Sequence, residues 1–428
     1  MSGPILQVAL DLTELKRAVQ IGKEAVSGGA DWIEAGTPLI KSEGMNAVRT
    51  LKAEFPNHTI VADMKIADTG ALEVEMAAKA GADVVCVLAA SDDSVIEEAV
   101  RAGRLYGVKI MADLLNAPNP LKRAEEMERM GVDIIAAHIG IDQQMKGMNA
   151  VDLLKEISGS VSIPVGAAGG LDSESAAQAV LSGADILLVG SSITKSADVK
   201  AAAKAIRDSI DRPEPEKSTK KSRDDEIRDI FMSVSAPNIT DAMLRKGAMS
   251  GLMSICGNVR MVGRALTVST VAGDWAKPVE AIDIANEGDV LVIDNQRAKH
   301  IAPWGELATH SCLNRGITGV VIDGAVRDAD DIKGIGLPVF ATAVCPNAGE
   351  PKGFGEIGAE ISCCGQQVRT GDWIVGDESG VVVIPKERAY EIARRALEVR
   401  RNEVRIREEI KRGATLSSIS ELLRWEKK

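Results

Sequence analysis

The run Val61-Ala62-Asp63-Met64-Lys65-Ile66-Ala67-Asp68-Thr69-Gly70 ends a short apolar strand with an acid and an amine two residues apart, then adds a second acid three residues on. Residues i and i+2 of a strand face the same way, so Asp63 and Lys65 point into one space. Asp68 falls just past the strand end, where a loop could carry it to that space or to a neighbour's. An unpaired buried ion costs several kcal/mol, so such a cluster implies mutual pairing, a metal, or a charged ligand. A plain Asp-Lys ion pair is the competing reading of this stretch.

The elements that must position these charges alternate in the first half of the chain. Short apolar strands, many apolar throughout as strands buried on both faces must be, are interleaved with amphipathic helical stretches from Ile5 to about Ile210. Eight strands are expected: Ile5–Leu10, Asp31–Ala35, Thr59–Ala62, Val84–Leu88, Lys109–Ala112, Ile134–Ala137, Pro164–Ala167 and Ile186–Val189. A Gly-Ala/Val-Asp repeat stands before each even-numbered strand, at Gly29, Gly81, Gly131 and Gly183, spaced by one βαβα unit of ~50 residues. Its glycine suits a left-handed helix C-cap. Four such units close a (β/α)8 TIM barrel.

Active sites of that fold gather at the strand C-terminal ends, and polar residues stand there: Asp11, Glu34, Asp63, Lys65, Asp113 and His138. Strands seven and eight end instead in Gly169-Gly170 and Gly190-Ser191-Ser192. Glycine turns opening onto helix N-termini expose backbone N–H groups, the usual phosphate site of a barrel, although tight-turn geometry alone would also explain them. Two or three carboxylates could hold a hard divalent cation, which would stabilise an enediolate by polarising a substrate's vicinal oxygens. Lys65 could pair with a carboxylate or donate to the developing oxyanion. His138 could move protons, or serve only as a structural donor.

Leu6-Gln7-Val8-Ala9-Leu10-Asp11, the Asp63-x-Lys65-x-x-Asp68 run, His138-Ile139-Gly140-Ile141-Asp142-Gln143 and the Gly169-Gly170 turn together resemble 3-hexulose-6-phosphate synthase, of the orotidine-5′-monophosphate decarboxylase superfamily. The resemblance covers residues 1–210. It implies a Mg²⁺-dependent aldol addition of formaldehyde to D-ribulose 5-phosphate, giving 3-hexulose 6-phosphate, and the reverse cleavage. It also implies that Glu34 and Asp63 hold Mg²⁺, that Lys65 and Asp68 flank the enediolate, and that His138 transfers the proton. Asp11, Asp113, Gly169, Gly170, Gly190 and Ser191 are then expected to contact the sugar phosphate. The last acid of the DxKxxD run reaches into a partner's site in this superfamily, which implies a barrel dimer. The related 3-keto-L-gulonate-6-phosphate decarboxylases tend to carry a Glu at the end of strand five and an Arg after the strand-six His. Here Asp113 and Gly140 stand there, which favours the synthase.

A chain of 428 residues exceeds what one core serves, so two domains are expected: 1–210, a linker at 211–226, and 227–428. The linker, centred on Asp211-Arg212-Pro213-Glu214-Pro215-Glu216-Lys217, is charged and free of large apolar residues. Hydrophobic residues at 45% and charged residues at 26% describe an ordinary globular protein. No apolar run is long enough to span a bilayer, and Met1-Ser2-Gly3-Pro4 leads straight into a strand, so a cytoplasmic location is expected. A net charge of −11 and 3% aromatic residues argue against nucleic-acid or membrane binding. The six cysteines show no CxxC pair and read as reduced core filler.

The second half reads as a different α/β domain. A cap and helix start stand at Asn238-Ile239-Thr240-Asp241, six strands follow, and a long charged helix runs from about Lys386 to Lys411. Gly319-Val320-Val321-Ile322-Asp323-Gly324-Ala325-Val326-Arg327-Asp328 is an apolar strand ending in a cation and an acid, fit for a small carboxylate and a metal, or for a simple Arg-Asp pair. Glu306, the Arg327-Asp328 pair and Asp331 follow a spacing that resembles the family of the regulator of ribonuclease E activity and the 4-hydroxy-4-methyl-2-oxoglutarate aldolases. This likeness implies a layered β/β/α fold, usually trimeric, with Asp328 and Glu306 at a divalent cation and Arg327 on a pyruvate-like carboxylate. Glu306 replaces the aldolases' usual Asp and Ala308 their usual Gly, so a regulatory or protein-binding role stands beside aldolase activity. A hexamer would reconcile a dimeric barrel with a trimeric partner.

Overall fold

The computed structural model describes residues 3–145, 147–215, 222–257 and 259–419; the middle of the expected linker, 216–221, lies outside the described residues. The chain forms two compact units, Met1–Ser218 with Asn402–Lys428, and Thr219–Arg401. Among the described residues no helix is long and apolar enough to cross a membrane.

In the first unit, β1 (Ile5–Leu10), β2 (Trp32–Ala35), β3 (Thr59–Ile66), β4 (Val84–Leu88), β5 (Lys109–Asp113), β6 (Ile134–His138), β7 (Val165–Ala168) and β8 (Ile186–Val189) close a parallel barrel in sequence order. Strand alternation sorts the side chains into two layers. Ile60, Ala62, Val85, Val87, Ile110 and Ala112 pack outward against the helices. Val61, Val84, Cys86, Met111, Ile134, Ala136 and Ile186 form a separate apolar plug inside the barrel.

The ~50-residue repeat has a structural cause at the opposite end from the candidate site. Its glycines all take positive φ, from 88° at Gly131 to 102° at Gly29 and Gly81. Each following Asp accepts the first free N–H of the preceding odd strand: Leu6 to Asp31 at 2.8 Å, Ile60 to Asp83 at 2.8 Å, Ile110 to Asp133 at 2.8 Å and Val165 to Asp185 at 2.9 Å. One motif thus ends a helix and satisfies a strand start that would otherwise leave a donor orphaned.

The second unit is built on a mixed sheet. Its strands are β9 (Ala248–Met249), β10 (Met253–Ser254), β11 (Met261–Thr270), β12 (Asp289–Asp294), β13 (Gly319–Val326), β14 (Val339–Val344), β15 (Gly355–Ile357), β16 (Ile361–Cys363), β17 (Gln366–Val368), β18 (Trp373–Asp377) and β19 (Gly380–Ile384). The order is β10-β14-β13-β12-β11-β18-β19-β9, with β15 on β11, and β16-β17 as a separate hairpin. Helix residues Ala281, Ile282, Cys312 and Ile332 cover one face of the sheet. On the other, Ile361, Cys363, Cys364 and Val368 pack on Val290, Val292, Val321 and Phe340. This is the layered β/β/α arrangement. The expected cap moves by three residues: Ser235 caps the helix Ala236–Ala242, and Asn238 closes the capping box from its N3 position. The long charged helix begins at Ala389, after a 3-10 turn behind Pro385.

Candidate active site

Glu34, Asp63, Asp113 and His138 stand two residues beyond Trp32, Val61, Met111 and Ala136, so the alternation that builds the plug also turns them inward above it. Regular alternation stops at Asp63. The β3–β4 register shifts between Ala62 and Ile66, and Lys65 sits at φ +46°, uncommon for a residue with a Cβ. The expected shared facing of Asp63 and Lys65 therefore arises from a bulge, not from a regular pleat. The bulge brings Lys65 Nζ to 3.1 Å from Asp63 and 2.7 Å from Asp113 Oδ2.

Asp113 is the hub. Besides Lys65, its carboxylate receives His138 Nδ1, 2.9 and 3.0 Å from its two oxygens, and the backbone N–H of Leu115 at 2.9 Å. Burial by itself would raise the Asp113 pKa. The hydrogen bond and charge of His138, then Lys65, more than offset this and hold it down at about 2. Burial likewise favours neutral Lys65, but Asp113 and then Asp63 keep its pKa well above the ordinary lysine value. The Asp113 side chain is 6% exposed, whereas Lys65 and His138 keep 21% and 23%, so a ligand in the mouth can reach the amine and the imidazole.

Glu34 is buried, and among the described residues its hydrogen-bond donor is Gln7 Nε2. Burial, then Asp63 and Asp11, raise its pKa well above the usual carboxylate range, and the Gln7 bond and Lys65 compensate only in part. Asp11 lies against Gly36 and Gly190, a Cβ on which would come within 2.2 and 3.5 Å of its carboxylate oxygens. Although Asp11 is exposed as a residue, its carboxyl is hemmed in, and desolvation followed by Asp63 raises its pKa. Three carboxylates thus face one another while the lysine is committed to Asp63 and Asp113. Carboxylate oxygens are the donor type a hard divalent cation takes. Asp11, Glu34 and Asp63 do not bring three oxygens within 4.8 Å of one another among the described residues. A two-carboxylate set, Glu34 with Asp63, suits Mg²⁺, which usually retains waters and takes one or two protein carboxylates.

The two glycine turns differ from the expectation in one respect. The helix after β7 starts at Ser173 and is capped by Asp172, which accepts the Ser175 N–H at 2.9 Å, so its N-terminus is already satisfied. The turn itself remains: Gly169 and Gly170 take φ of 114° and 70°, and Gln144 lies across them, anchored by Nε2 to Ile139 O at 2.7 Å. Gly190 precedes a four-residue helical turn, Ser191–Thr194. Asp68 is exposed and accepts its neighbour's N–H, so it does not join the cluster within one chain.

In the second unit, Asp328 takes φ +55° at the start of the helix Ala329–Ile335. Arg327 Nε donates to its Oδ2 at 3.1 Å, and the Glu306 backbone N–H approaches the same oxygen at 3.3 Å. The Glu306 carboxylate pairs instead with His310, one helical turn on, at 3.2 Å. Arg327 and Asp328 are therefore together, Glu306 meets Asp328 through its backbone, and Asp331 stays exposed.

Gln7, Thr37 and Gln144 were not singled out by the sequence. Thr37 Oγ1 lies 2.7 Å from Asp63 Oδ2. Gln7 was legible: a polar residue at an inward position of an otherwise apolar β1 has to meet a partner inside the barrel.

Comparison with known proteins gives two family matches: orotidine 5'-phosphate decarboxylase / HUMPS family over residues 4–206, and RraA-like, Aldolase/RraA, over residues 236–383. An uncharacterized protein of Methanocaldococcus jannaschii is 41% identical over 195 residues, covering 45% of this chain and 93% of that protein. A 3-hexulose-6-phosphate synthase of Bacillus subtilis is 36% identical over 206 residues, covering 48% of this chain and 98% of its own length. The solved structure of the RNA-processing inhibitor RraA from Thermus thermophilis is 25% identical, covering 36% of this chain and 93% of that one, with a TM-score of 0.34.

Proposed function

We propose, on the premise that this chain belongs through residues 4–206 to the orotidine 5'-phosphate decarboxylase / HUMPS family, that its barrel is a 3-hexulose-6-phosphate synthase: it adds formaldehyde to D-ribulose 5-phosphate and runs the reverse cleavage. The observation that carries the reading is the Asp113 carboxylate shared by His138 and Lys65. By accepting from Nδ1–H, Asp113 fixes the tautomer whose Nε2 is free to act as a base. His138 Nε2 takes a proton from C1 of the ketose, and the electron pair left behind forms the enediolate. Lys65, held as an ammonium, donates toward the developing negative charge. C1 then attacks the formaldehyde carbon, the C–C bond forms as the formaldehyde C=O π bond breaks, and the new alkoxide takes back the proton held on His138 Nε2.

Glu34 and Asp63 would hold Mg²⁺, which supplies Lewis-acid polarisation of the substrate's vicinal oxygens. The Gly169-Gly170 and Gly190-Ser191 turns would seat the phosphate, and Asp11 beside Gly190 would contact the sugar. Exposed Leu72 and Met76, on the helix that follows Asp68, support a dimer in which Asp68 serves a partner's site. The RraA-like domain would hold a divalent cation at Asp328 and Glu306, take a small carboxylate at Arg327, and form trimers within a cytoplasmic hexamer.

The test mixes the full chain with ribulose 5-phosphate, formaldehyde and Mg²⁺. The reading expects formaldehyde loss matched by hexulose phosphate. A folded protein that consumes none rejects it, and CO₂ release from 3-keto-L-gulonate 6-phosphate would identify a decarboxylase instead.

A further inference from the structure

Buried on the far side of the RraA-like sheet from its helices, two thiols and a carboxylate meet. Cys363 ends β16 and Cys364 follows it at the hairpin turn; Asp323 lies within β13. All three are buried, and among the described residues theirs is the only group of three such side chains whose ligand atoms lie within 4.8 Å of one another. Cys363 pairs with Gln366, so Cys364-Gly365 is a two-residue loop, with φ of 50° and 83°. Asn-Gly is the preferred pair for such a turn; here a cysteine takes the first strained position. The Cys364 N–H donates to Asp323 Oδ2 at 2.7 Å, which fixes the carboxylate against the loop and leaves Oδ1 over.

We propose that Asp323, Cys363 and Cys364 bind one soft divalent cation of the zinc class through two thiolates and a carboxylate oxygen, with a fourth position for water. A tetrahedral ion with Zn–S bonds of about 2.3 Å needs its sulfurs roughly 3.8 Å apart, which small side-chain rotations supply. Thiolate donors select such ions over Mg²⁺, which favours oxygen. Charge also balances. Binding expels two thiol protons, and the resulting two thiolates and carboxylate are offset by the dication and by Arg297, whose Nε lies 3.6 Å from Asp323 Oδ2. The site is separate from the Glu306 and Asp328 positions.

The experiment titrates the reduced, chelator-stripped full chain with Co²⁺ and then Zn²⁺. The expected result is a thiolate-to-cobalt charge-transfer band that saturates at one thiolate-bound Co²⁺ per chain, whatever Co²⁺ the oxygen sites also take, with two thiol protons released and displacement by Zn²⁺. The band should vanish in Cys363→Ser/Cys364→Ser, shift to higher Co²⁺ in the nearly isosteric Asp323→Asn, and persist in Glu34→Gln, where the barrel's oxygen site is altered. No charge-transfer band on the folded wild-type chain at saturating Co²⁺ overturns the proposal, as does a band that survives the double substitution.

Discussion

His138 presents Nδ1 to both oxygens of the Asp113 carboxylate, at 2.9 and 3.0 Å. A carboxylate in that position keeps the proton on Nδ1 and the lone pair on Nε2. Asp113→Asn removes that control while keeping the shape, since an amide can present either a donor or an acceptor. Steady-state turnover should fall by on the order of 10²- to 10⁴-fold, the share a positioned acid–base group supplies. Unchanged turnover would show that His138 is not the proton carrier.

The same carboxylate sets an acid limit on stability. Its pKa is lowered from 3.8 to about 2, so its stabilisation is present above the ordinary value and lost as pH falls toward 2. The contribution is on the order of 2 kcal/mol. Urea unfolding at successive acid pH values should show this segment of the stability loss in the wild type and its absence in Asp113→Asn.

Lys65 has the opposite sign. Its raised pKa means that the stability from its charged form is fully present below the ordinary lysine value and is lost only above it. A rate profile between about pH 7 and 9.5 should therefore carry no descending limb from this amine. Lys65→Met should lower turnover by roughly 10²- to 10³-fold, as removal of one oxyanion donor does. Substrate affinity changing alone would assign Lys65 to binding.

The barrel was legible because two signals agreed: short runs, many apolar throughout, gave strands of the right length, and the Gly-Ala/Val-Asp repeat gave the unit. The inward facing of Glu34, Asp63, Asp113 and His138 follows from the alternation of side chains along each strand. The placement of Lys65 was legible only in part, because a bulge is a matter of neighbouring-strand register and leaves no mark in a single strand's pattern. The cap on the helix Ser173–Leu181 is visible in the sequence as Asp172 three residues before Ser175, and it satisfies N–H groups that the glycine turn alone would suggest are open. Cys363 and Cys364 gave no ligand spacing of the CxxC kind. Their partner Asp323 lies 41 residues before Cys364 in sequence and becomes a neighbour only when the hairpin folds onto β13.

The Gly170 turn allows a steric test. A Cβ there would stand 2.4 Å from Gln144 Oε1, at a φ of +70° that side chains resist. Gly170→Ala should displace Gln144 and distort the turn that would seat the phosphate. KM for ribulose 5-phosphate should rise more than kcat falls, with about 1–2 kcal/mol of stability lost to the left-handed backbone. A drop in kcat at constant KM would place the phosphate elsewhere.

Asp83 separates stability from chemistry, because it lies at the barrel end remote from the site. It accepts the Ile60 N–H at 2.8 Å and holds Lys52 Nζ at 2.7 and 3.0 Å. Asp83→Ala leaves the β3 start with an orphaned donor and Lys52 without its partner, which should cost about 1–3 kcal/mol. The lysine is partly exposed, so most of that loss comes from the backbone group, and Lys52→Met should cost less than Asp83→Ala. Thermal unfolding of the two variants gives the comparison. Both should keep wild-type kcat at temperatures where they are folded, because β3 reaches Asp63 and Lys65 through a strand whose far end remains packed in the plug. Equal losses in the two variants would assign the stabilisation to the ion pair and not to the strand start.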